Sequence, residues 1–468
     1  MSENLYELLA SRFPTDRSRP CFLLSDGRAI SYGELEAGAA HVAGRLAAEG
    51  VQPGDRVALQ AEKSAETIMA YLGVLKAGAV YLPLNSAYTQ AEVDYFLGDA
   101  EPAVFVTDPP AWVAEARAHP PLATAVPRAA DDLASLIYTS GTTGRSKGAM
   151  LSHGALAANA LALHQAWGFT PDDVLLHALP IFHVHGLFVA LHCALLSGCP
   201  MVWLPKFTDA EVLKGLERAT VMMGVPTFYT RLLGNPEFTR ERAVGVRVFI
   251  CGSAPLLPST FAEFEARTGQ RILERYGMSE AVIITSNPLA GERLAGSVGY
   301  PLPGVELRIG GGADTGVIEI RGPSVFSGYW RMPDKTAEEF TADGFFITGD
   351  VGRRDPDGRV WISGRAKDLI ISGGYNVYPK EVELVLDELP GVTESAVIGC
   401  PHPDFGEGVV AVVQGQGDEA AMIAEARRQL AAYKAPKRIV FVDELPRNAM
   451  GKVQKNLLRQ RYERLFEA

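Results

Sequence analysis

The chain has 468 residues, of which 47% are hydrophobic and 21% are charged, and its formal net charge is −11. This composition is typical of a globular protein and excludes a disordered or collagen-like chain, while the length predicts two or three domains. The negative charge disfavours a general binder of nucleic acid or anionic membranes, so an anionic ligand would need locally gathered positive groups.

The cysteines and the apolar segments predict a cytoplasmic protein without disulfides. The 5 cysteines form no C-x-x-C pair, which argues against a disulfide framework or a zinc site. We expect no leader at the N-terminus, because Met1–Leu5 has neither a basic nor an apolar region. The most apolar stretch, residues 187–205, contains His192, Gly198 and Pro200, and we interpret it as a buried helix followed by a strand.

Helix and strand patterns alternate through the first 300 residues. The apolar spacing predicts a helix over 32–49 that ends at Gly50, and another over 64–76. Short apolar runs predict buried strands at 57–59, 80–82, 104–106, 174–179, 201–204, 221–224 and 246–250. This alternation predicts an α/β fold, a large N-terminal domain of layered α/β sheets with mostly parallel strands. The Ala- and Pro-rich stretch 109–128 is expected to be a surface excursion.

The pattern changes near residue 300. Alternating apolar residues at 305–309, 317–320 and 360–362 predict a small antiparallel, β-barrel-like region. After Gly364 the pattern becomes α+β, with a helix at 380–388 and a strand at 438–442. We therefore predict an N-terminal substrate-binding domain, 1–363, and a small mobile C-terminal domain, 364–468.

The strongest local motif runs from Tyr138 to Gly148 and follows an apolar strand. Its glycines and hydroxyl side chains can surround a polyphosphate, and Lys147 adds a point charge. The spacing differs from the G-x-x-x-x-G-K-[ST] loop, because no Ser or Thr follows the lysine.

This loop resembles the phosphate loop of the AMP-forming acyl-CoA synthetases, the adenylate-forming or ANL superfamily, with Ser146 in place of the usual Pro. Further segments resemble that family's motifs in the family's order. They are Tyr276–Glu280, with Ser279 for Thr, then Thr348–Asp350, Gly364–Asp368 and Pro446–Lys452. The resemblance covers nearly the whole chain. It implies a ligase that converts a carboxylate and Mg·ATP into an acyl-adenylate and then transfers the acyl group to coenzyme A.

The resemblance also implies which residues bind ATP and its metal. The implied ATP-binding residues are Thr139, Ser140, Gly141, Thr142, Thr143, Gly144, Lys147, Ser253, Ala254, Pro255, Glu274, Tyr276, Gly277, Met278, Ser279, Asp350 and Arg365. The Tyr276 ring suits stacking on adenine, and the Asp350 carboxylate suits the ribose hydroxyls, with Arg365 beside it. Thr139 and Glu280 are the implied Mg²⁺ ligands, since Mg²⁺ prefers hard oxygen donors.

Catalytic and mobile residues follow from the same resemblance. Lys452 is expected to stabilise charge in the adenylation transition state, and Glu280 and His183 are the other catalytic candidates. Lys367 is the implied hinge between the two half-reactions. Gly373, Gly374 and Tyr375 are expected to form part of the channel for the coenzyme A thiol.

Other segments narrow the resemblance to malonyl-CoA synthetases. They are residues 224–231, 253–256, 273–276 and 374–379. A second substrate carboxylate needs a guanidinium fork, for which Arg231 is the first candidate and Arg275 the second, with Ser253 as a hydroxyl partner. The expected pocket further includes His183, Val184 and Ile283, while a role for His185 is left open.

Several alternatives remain open at this stage. Ala-Val-Ile-Ile at 281–284 is more apolar than expected for a malonate enzyme, so the acid is malonate, methylmalonate or another short mono- or dicarboxylic acid. An adenylation domain that loads a separate carrier protein and a non-catalytic ATP-binding protein are the competing hypotheses. The expected partners are small-molecule substrates, neither nucleic acid nor a membrane, and the choice between monomer and dimer stays open.

Overall fold

The computed structural model describes residues 2–139, 146–312, 314–447 and 451–467. The chain packs into two compact units. The larger comprises Met1–Glu306 with Ile320–Phe346, and the smaller comprises Leu307–Glu319 with Ile347–Ala468. Residues 307–319 and 347–363, which precede the predicted domain boundary, therefore pack with the smaller unit. The predicted boundary between residues 363 and 364 stays a prediction. No helix within the described ranges is long and apolar enough to cross a membrane.

One sheet of the larger unit has the strand order β5-β3-β4-β6-β7. Its strands are β3 (Arg56–Gln60), β4 (Val80–Leu84), β5 (Val104–Val106), β6 (Leu133–Thr139) and β7 (Lys147–Ser152). The early helices are α1 (Leu5–Ala10), α2 (Tyr32–Ala48), α3 (Ala65–Lys76), α4 (Gln90–Ala100) and α5 (Pro109–Ala116). Capping boxes at Ser31 and Thr89 begin α2 and α4, because each hydroxyl accepts a backbone N–H that has no partner inside the helix.

A second, larger sheet runs in the order β14-β13-β12-β11-β10-β8-β9-β1-β2. Its strands are β1 (Pro20–Leu24), β2 (Ala29–Ser31), β8 (Leu175–His177), β9 (Met201–Trp203), β10 (Val221–Gly224), β11 (Val248–Cys251), β12 (Leu273–Met278), β13 (Val282–Ser286) and β14 (Ser297–Pro301). The helices are α6 (His153–Trp167), a π-helix (His185–Leu191), α7 (His192–Ser197), α8 (Asp209–Leu216), α9 (Pro226–Gly234), α10 (Arg240–Ala243), α11 (Pro258–Thr268) and α12 (Pro333–Glu338). Strands β9, β8, β10, β11 and β12 are parallel, so their carboxyl ends lie along one edge.

The smaller unit begins with four strands that neighbour one another in chain order. They are β15 (Glu306–Ile309), β16 (Thr315–Arg321), β17 (Phe346–Arg354) and β18 (Val360–Arg365), with 3₁₀ turns at Gly310–Gly312 and Ala366–Asp368. A second sheet follows, ordered β20-β19-β22-β21 with β23 beside β22. Its elements are β19 (Ile370–Ser372), β20 (Tyr375–Val377), α13 (Pro379–Asp387), β21 (Val392–His402), β22 (Gly406–Gly415), α14 (Glu419–Gln429), β23 (Arg438–Val442) and α15 (Lys455–Arg461). The predicted α/β fold with a smaller C-terminal α+β part is confirmed.

Candidate active site

The β12–β13 hairpin carries the Tyr276–Glu280 motif. A bulge between Tyr276 and Gly277 interrupts its antiparallel register. A Cβ on Gly277 would lie 1.9 Å from the carbonyl oxygen of Val282, so only glycine lets the strands approach this closely. The Glu280 carboxylate is buried at the end of the hairpin and accepts a hydrogen bond of 3.1 Å from the Tyr329 hydroxyl.

Lys147 is held beside this carboxylate by the same tyrosine. Its Nζ lies 4.2 Å from the centroid of the Tyr329 ring and 3.4 Å from Oε1 of Glu339. Tyr329 therefore contacts the predicted phosphate-binding lysine with its ring and the predicted metal-binding carboxylate with its hydroxyl. This tyrosine was not among the residues predicted from the sequence, where its only signal is its place in Gly328-Tyr329-Trp330.

Both ends of the predicted phosphate loop are hydrogen-bonded to α4. The Tyr138 hydroxyl donates to the Asp99 carboxylate, and the Tyr95 hydroxyl donates to the Ser146 carbonyl at 2.8 Å. Burial, followed by the hydrogen bond to Asp99, raises the pKa of the Tyr138 phenol well above its usual range. The predicted loop residues Ser140, Gly141, Thr142, Thr143 and Gly144 lie outside the described residues.

The oxygen donors beside the loop suit a magnesium ion carried by ATP. Glu280 supplies a buried carboxylate, and the Thr139 hydroxyl donates to the Lys147 carbonyl at 3.4 Å, which leaves its lone pairs for a metal. Within the described ranges no three His, Cys, Asp or Glu side chains cluster as a metal site. A Mg²⁺ held by one or two protein oxygens and the substrate phosphates fits this donor set.

The two candidate arginines have different surroundings. The Arg231 side chain, on α9, is 54% exposed, and its Nη2 lies 3.1 Å from Oδ1 of Asp209. Its guanidinium also stacks 4.7 Å from the centroid of the Phe207 ring. The charge of Arg231 is thus already neutralised at the protein surface.

Arg275, in contrast, is 3% exposed on β12. Its guanidinium lies over Gly252, where a Cβ would be 2.6 Å from Cζ. Among the described residues, Nε and Nη2 of Arg275 find no hydrogen-bond partner. Burial lowers the pKa of this guanidinium to about 10. A buried cation with two unused donors is costly unless an anion joins it.

His185 and Ser253 lie close to Arg275. The Ser253 hydroxyl and Nδ1 of His185 are 3.2 Å apart, and Nε2 of His185 is buried without a partner among the described residues. Burial, and then the Arg275 charge, lower the pKa of His185 well below its usual range, so the imidazole is neutral. Ser253 adopts a left-handed φ of 72°, which directs its hydroxyl towards His185 and is rare outside glycine. These three residues form what we call the Arg275 cluster.

The other predicted site residues of the larger unit differ in how exposed they are. His183 is partly exposed, and its Nδ1 accepts the backbone N–H of His185 at 3.2 Å. Val184 and Ile283 are buried. Glu274 is buried and accepts the backbone N–H of Leu256 at 3.3 Å. The remaining positions are at least partly exposed: Ala254, Pro255, Tyr276, Met278 and Ser279.

The smaller unit places the predicted ribose-binding residues side by side. Asp350 on β17 pairs with Arg365 on β18 across the antiparallel ladder. The Asp350 carboxylate is buried, and its Oδ1 lies 2.7 Å from Nε of Arg365. The arginine holds this carboxylate in one orientation, which is compatible with its predicted role of accepting ribose hydroxyls.

Lys452 is exposed in a loop that a hydrogen bond holds on one side and an ion pair holds on the other. Before it, Nη1 of Arg447 donates to the Gly451 carbonyl at 2.7 Å. After it, Lys455 pairs with buried Glu383 at 2.5 Å. Residues 448–450 of the motif lie outside the described part of the chain.

The predicted hinge and thiol-channel segments are exposed. Lys367 lies in the 3₁₀ turn Ala366–Asp368 and is exposed. Gly373 and Gly374 have left-handed φ values of 59° and 82°, so they form a turn that other residues rarely adopt. Tyr375 is 60% exposed and stacks on Tyr433 with ring centroids 4.7 Å apart.

Comparisons with known proteins identify the family to which the chain belongs. The family described as "AMP-binding enzyme" matches residues 9–330, and "AMP-binding enzyme C-terminal domain" matches residues 381–452. The chain is 34% identical to the malonate–CoA ligase of Arabidopsis thaliana over 99% of this chain and 90% of that protein. It is 51% identical to ATP-bound MatB from Rhodopseudomonas palustris, over 100% of both chains, with a TM-score of 0.95. It is 38% identical to a malonyl-CoA ligase in a ternary product complex with methylmalonyl-CoA and AMP, over 94% of this chain and 99% of the other, with a TM-score of 0.69.

Proposed function

Because this chain belongs to the AMP-binding enzyme family, we propose that it joins malonate or methylmalonate to coenzyme A. As an AMP-forming acid–thiol ligase, it first converts the acid and ATP into an acyl-adenylate and pyrophosphate. The thiol of coenzyme A then displaces AMP to give the thioester. The adenylate itself is the activated species, so no protein side chain needs to form a covalent intermediate.

The observation that carries the choice of a dicarboxylate is the state of Arg275. Its guanidinium is buried and has two unused donors among the described residues. The distal carboxylate of malonate would accept both N–H groups and neutralise the charge, a planar bidentate geometry that Arg favours. We therefore propose Arg275 as the carboxylate fork, although the sequence placed Arg231 first. Two similar proteins support the assignment, since one is a malonate–CoA ligase and another holds methylmalonyl-CoA.

The remaining roles follow the positions of the charged groups. We propose that Tyr276 stacks on adenine, that Asp350 and Arg365 bind ribose, and that Lys147 binds the phosphates. Lys452 would stabilise the charge on the α-phosphate in the adenylation transition state. Tyr375 lies on an exposed aromatic stack beside the Gly373–Gly374 turn, which supports a role in accepting coenzyme A.

Thr139 and Glu280 are the residues we propose to hold Mg²⁺. When bound with ATP, the ion would neutralise part of the phosphate charge. Tyr329 would keep the Glu280 carboxylate oriented, because its hydroxyl already donates to one carboxylate oxygen.

The second strand of the hairpin begins with apolar residues. Val282, Ile283 and Ile284 on β13 are all buried, and none offers a polar side chain. Ile283 is the predicted pocket residue among them, and an apolar side chain there suits a methyl group on the central carbon of malonate, so we propose methylmalonate beside malonate as a substrate. Another short mono- or dicarboxylic acid, or transfer to a carrier protein, are the alternatives.

A pyrophosphate-release assay with ATP, Mg²⁺ and coenzyme A tests the proposal. The acids are malonate, methylmalonate, succinate, acetate, propionate, butyrate, octanoate and benzoate. Preference for malonate or methylmalonate is the expected result. Preference for a monocarboxylate would support the ligase assignment but contradict the guanidinium fork. Activity only with a carrier protein would show that this protein, and not coenzyme A, accepts the acyl group.

We also propose a cytoplasmic location. The cysteines at 21, 193, 199, 251 and 400 are all free thiols buried in the structure, a state that a reducing compartment preserves.

A further inference from the structure

Lys63 lies between β3 and α3 without an acidic partner among the described residues. Its Nζ donates to the His177 carbonyl at 2.7 Å and lies 2.8 Å from Nδ1 of the same histidine. The ammonium also lies 4.2 Å from the centroid of the Trp203 ring. Burial lowers the pKa of this amine well below its usual range. A lysine in such surroundings is costly to keep, so its contacts to His177 call for an explanation.

The contacts of His177 leave it a single tautomer. The side chain is fully buried at the end of β8, and Nε2 lies 2.9 Å from the carbonyl oxygen of Gly186. A carbonyl oxygen only accepts, so Nε2 carries the proton and Nδ1 accepts from Lys63. Burial, and then the charge of Lys63, lower the pKa of His177 well below its usual range, and the imidazole stays neutral.

Gly186 belongs to the first turn of the π-helix His185–Leu191. A Cβ at this position would lie 2.0 Å from the carbonyl oxygen of Pro180, so the turn is packed tightly against the preceding segment. The bond from His177 therefore ends on a carbonyl of this first turn. π-helical turns occur often at functional sites. The first residue of this turn is His185, the neighbour of Ser253 in the Arg275 cluster.

We propose that Lys63 and His177 are positioning residues for the acid-binding pocket. Lys63 donates to Nδ1 of His177 and holds the ring in place, Nε2 of His177 donates to the Gly186 carbonyl, and the π-helix that begins there thereby presents His185 to Ser253 and Arg275. Neither Lys63 nor His177 need touch a substrate. The inference rests on the proposed function in one respect, namely that the Arg275 cluster binds the acid.

Lys63→Met tests this role, because it keeps the apolar stem and removes the donors. We expect KM for the preferred acid to rise about 10-fold, with KM for ATP unchanged, since displacement of His185 affects only the acid side. Lys63→Arg retains a donor and a charge, and it should restore part of the loss.

Lys76→Met is the matched control. Lys76, at the end of α3, is also a buried lysine over an aromatic ring, 4.9 Å from the Tyr6 centroid. It makes no contact with His177 that the described structure records. If Lys63 only supports the fold, both variants should lower Tm and leave KM for the acid alone. Equal changes in KM for acid and ATP would also overturn the proposal.

Histidine ¹⁵N spectra give a readout independent of activity. In the wild type, Nδ1 of His177 should show the ¹⁵N shift of a nitrogen that accepts a hydrogen bond, and Lys63→Met should move that shift to the value of an imidazole nitrogen without a donor. An unchanged Nδ1 shift would refute the role of Lys63. The kinetic test uses whichever acid the pyrophosphate assay prefers, so an error over malonate would not be confused with an error over Lys63.

Discussion

Arg275 and Arg231 differ in what already surrounds each guanidinium. Arg231 has an acidic partner, an aromatic ring and solvent, whereas Arg275 is buried with unused donors among the described residues. Burial in a low-dielectric site makes a new ion pair stronger, while an exposed pair contributes little. We therefore expect substitution of Arg275 and substitution of Arg231 to have different effects on KM for the diacid.

Arg275→Met should weaken binding of the diacid by about 2–5 kcal/mol, the worth of a buried charge pair. We expect a higher KM for malonate in the pyrophosphate assay, with KM for ATP unchanged. The ligand-free variant should not lose Tm, because it replaces a buried charge for which the described residues supply no counterion. Arg231→Met is the matched control and should change KM for malonate little. The reverse pattern would return the fork to Arg231.

Ser253 has a strained backbone conformation, and its hydroxyl is hydrogen-bonded to His185. Its left-handed φ of 72° costs about 1–3 kcal/mol for a non-glycine residue. Ser253→Gly should therefore raise Tm, yet raise KM for the acid, because His185 loses its hydroxyl partner. Ser253→Ala keeps the strain and loses the hydroxyl, so only its KM should change. A glycine variant less stable than the alanine variant would contradict the strain argument.

At the scale of elements, helix ends explain both a success and an error. The predicted helix over 64–76 is confirmed as α3, because the Ser64 hydroxyl accepts the N–H of Thr67 and caps it. The prediction of a surface excursion over 109–128 was wrong for its first part. Asp108 caps α5 there, and Trp112 and Val113 are buried. Alanine and proline suggested a loop, but proline in a first helical turn is well tolerated.

The end of α13 contains a carboxyl group that makes stability depend on pH. Asp387 accepts a hydrogen bond of 2.7 Å from the Ser395 hydroxyl on β21, and burial raises its pKa from 3.8 to about 6. The folded state thus keeps a proton that the unfolded state releases at lower pH. The free energy of unfolding should fall as pH rises from about 4 through 6, by roughly 3 kcal/mol.

Asp387→Asn removes this titration while it keeps an oxygen that accepts from Ser395. We expect the variant to be more stable than the wild type at pH 8 and similar at pH 4, as measured by urea unfolding at each pH. A constant difference between the two proteins across this range would show that Asp387 ionises normally.

For the whole molecule, we expect the two half-reactions to depend on different segments of the smaller unit. Lys452→Ala should lower adenylation about 10²–10³-fold, since it removes a charge that stabilises the transition state. Transfer from preformed acyl-adenylate to coenzyme A should be largely retained. Pyrophosphate release and thioester formation are measured separately. Equal losses in both steps would contradict the role of Lys452.

Gly374→Leu is the complementary variant. It places a side chain at a left-handed turn beside the exposed Tyr375, so thioester formation should fall while pyrophosphate release persists. If Gly374→Leu stops pyrophosphate release instead, the assignment of this turn to the thiol step is wrong.

Local patterns of residues were sufficient to predict the family and the α/β class. Periodicity predicts helices and strands, and the motif order predicts an adenylate-forming ligase, which the family matches confirm. The individual roles of Lys452, Lys367 and the loop residues stay predictions.

Local patterns could not predict which side chains become neighbours and which charges already have partners, because both depend on how distant segments pack. Arg231 and Arg275 are the same residue type in the sequence, but in the structure Arg275 is buried whereas Arg231 is exposed and paired with Asp209. His185, Tyr329 and Lys63 acquired their significance from contacts across more than 60 residues of chain. Electrostatic cost depends on solvent and on nearby charges, and a linear pattern records neither.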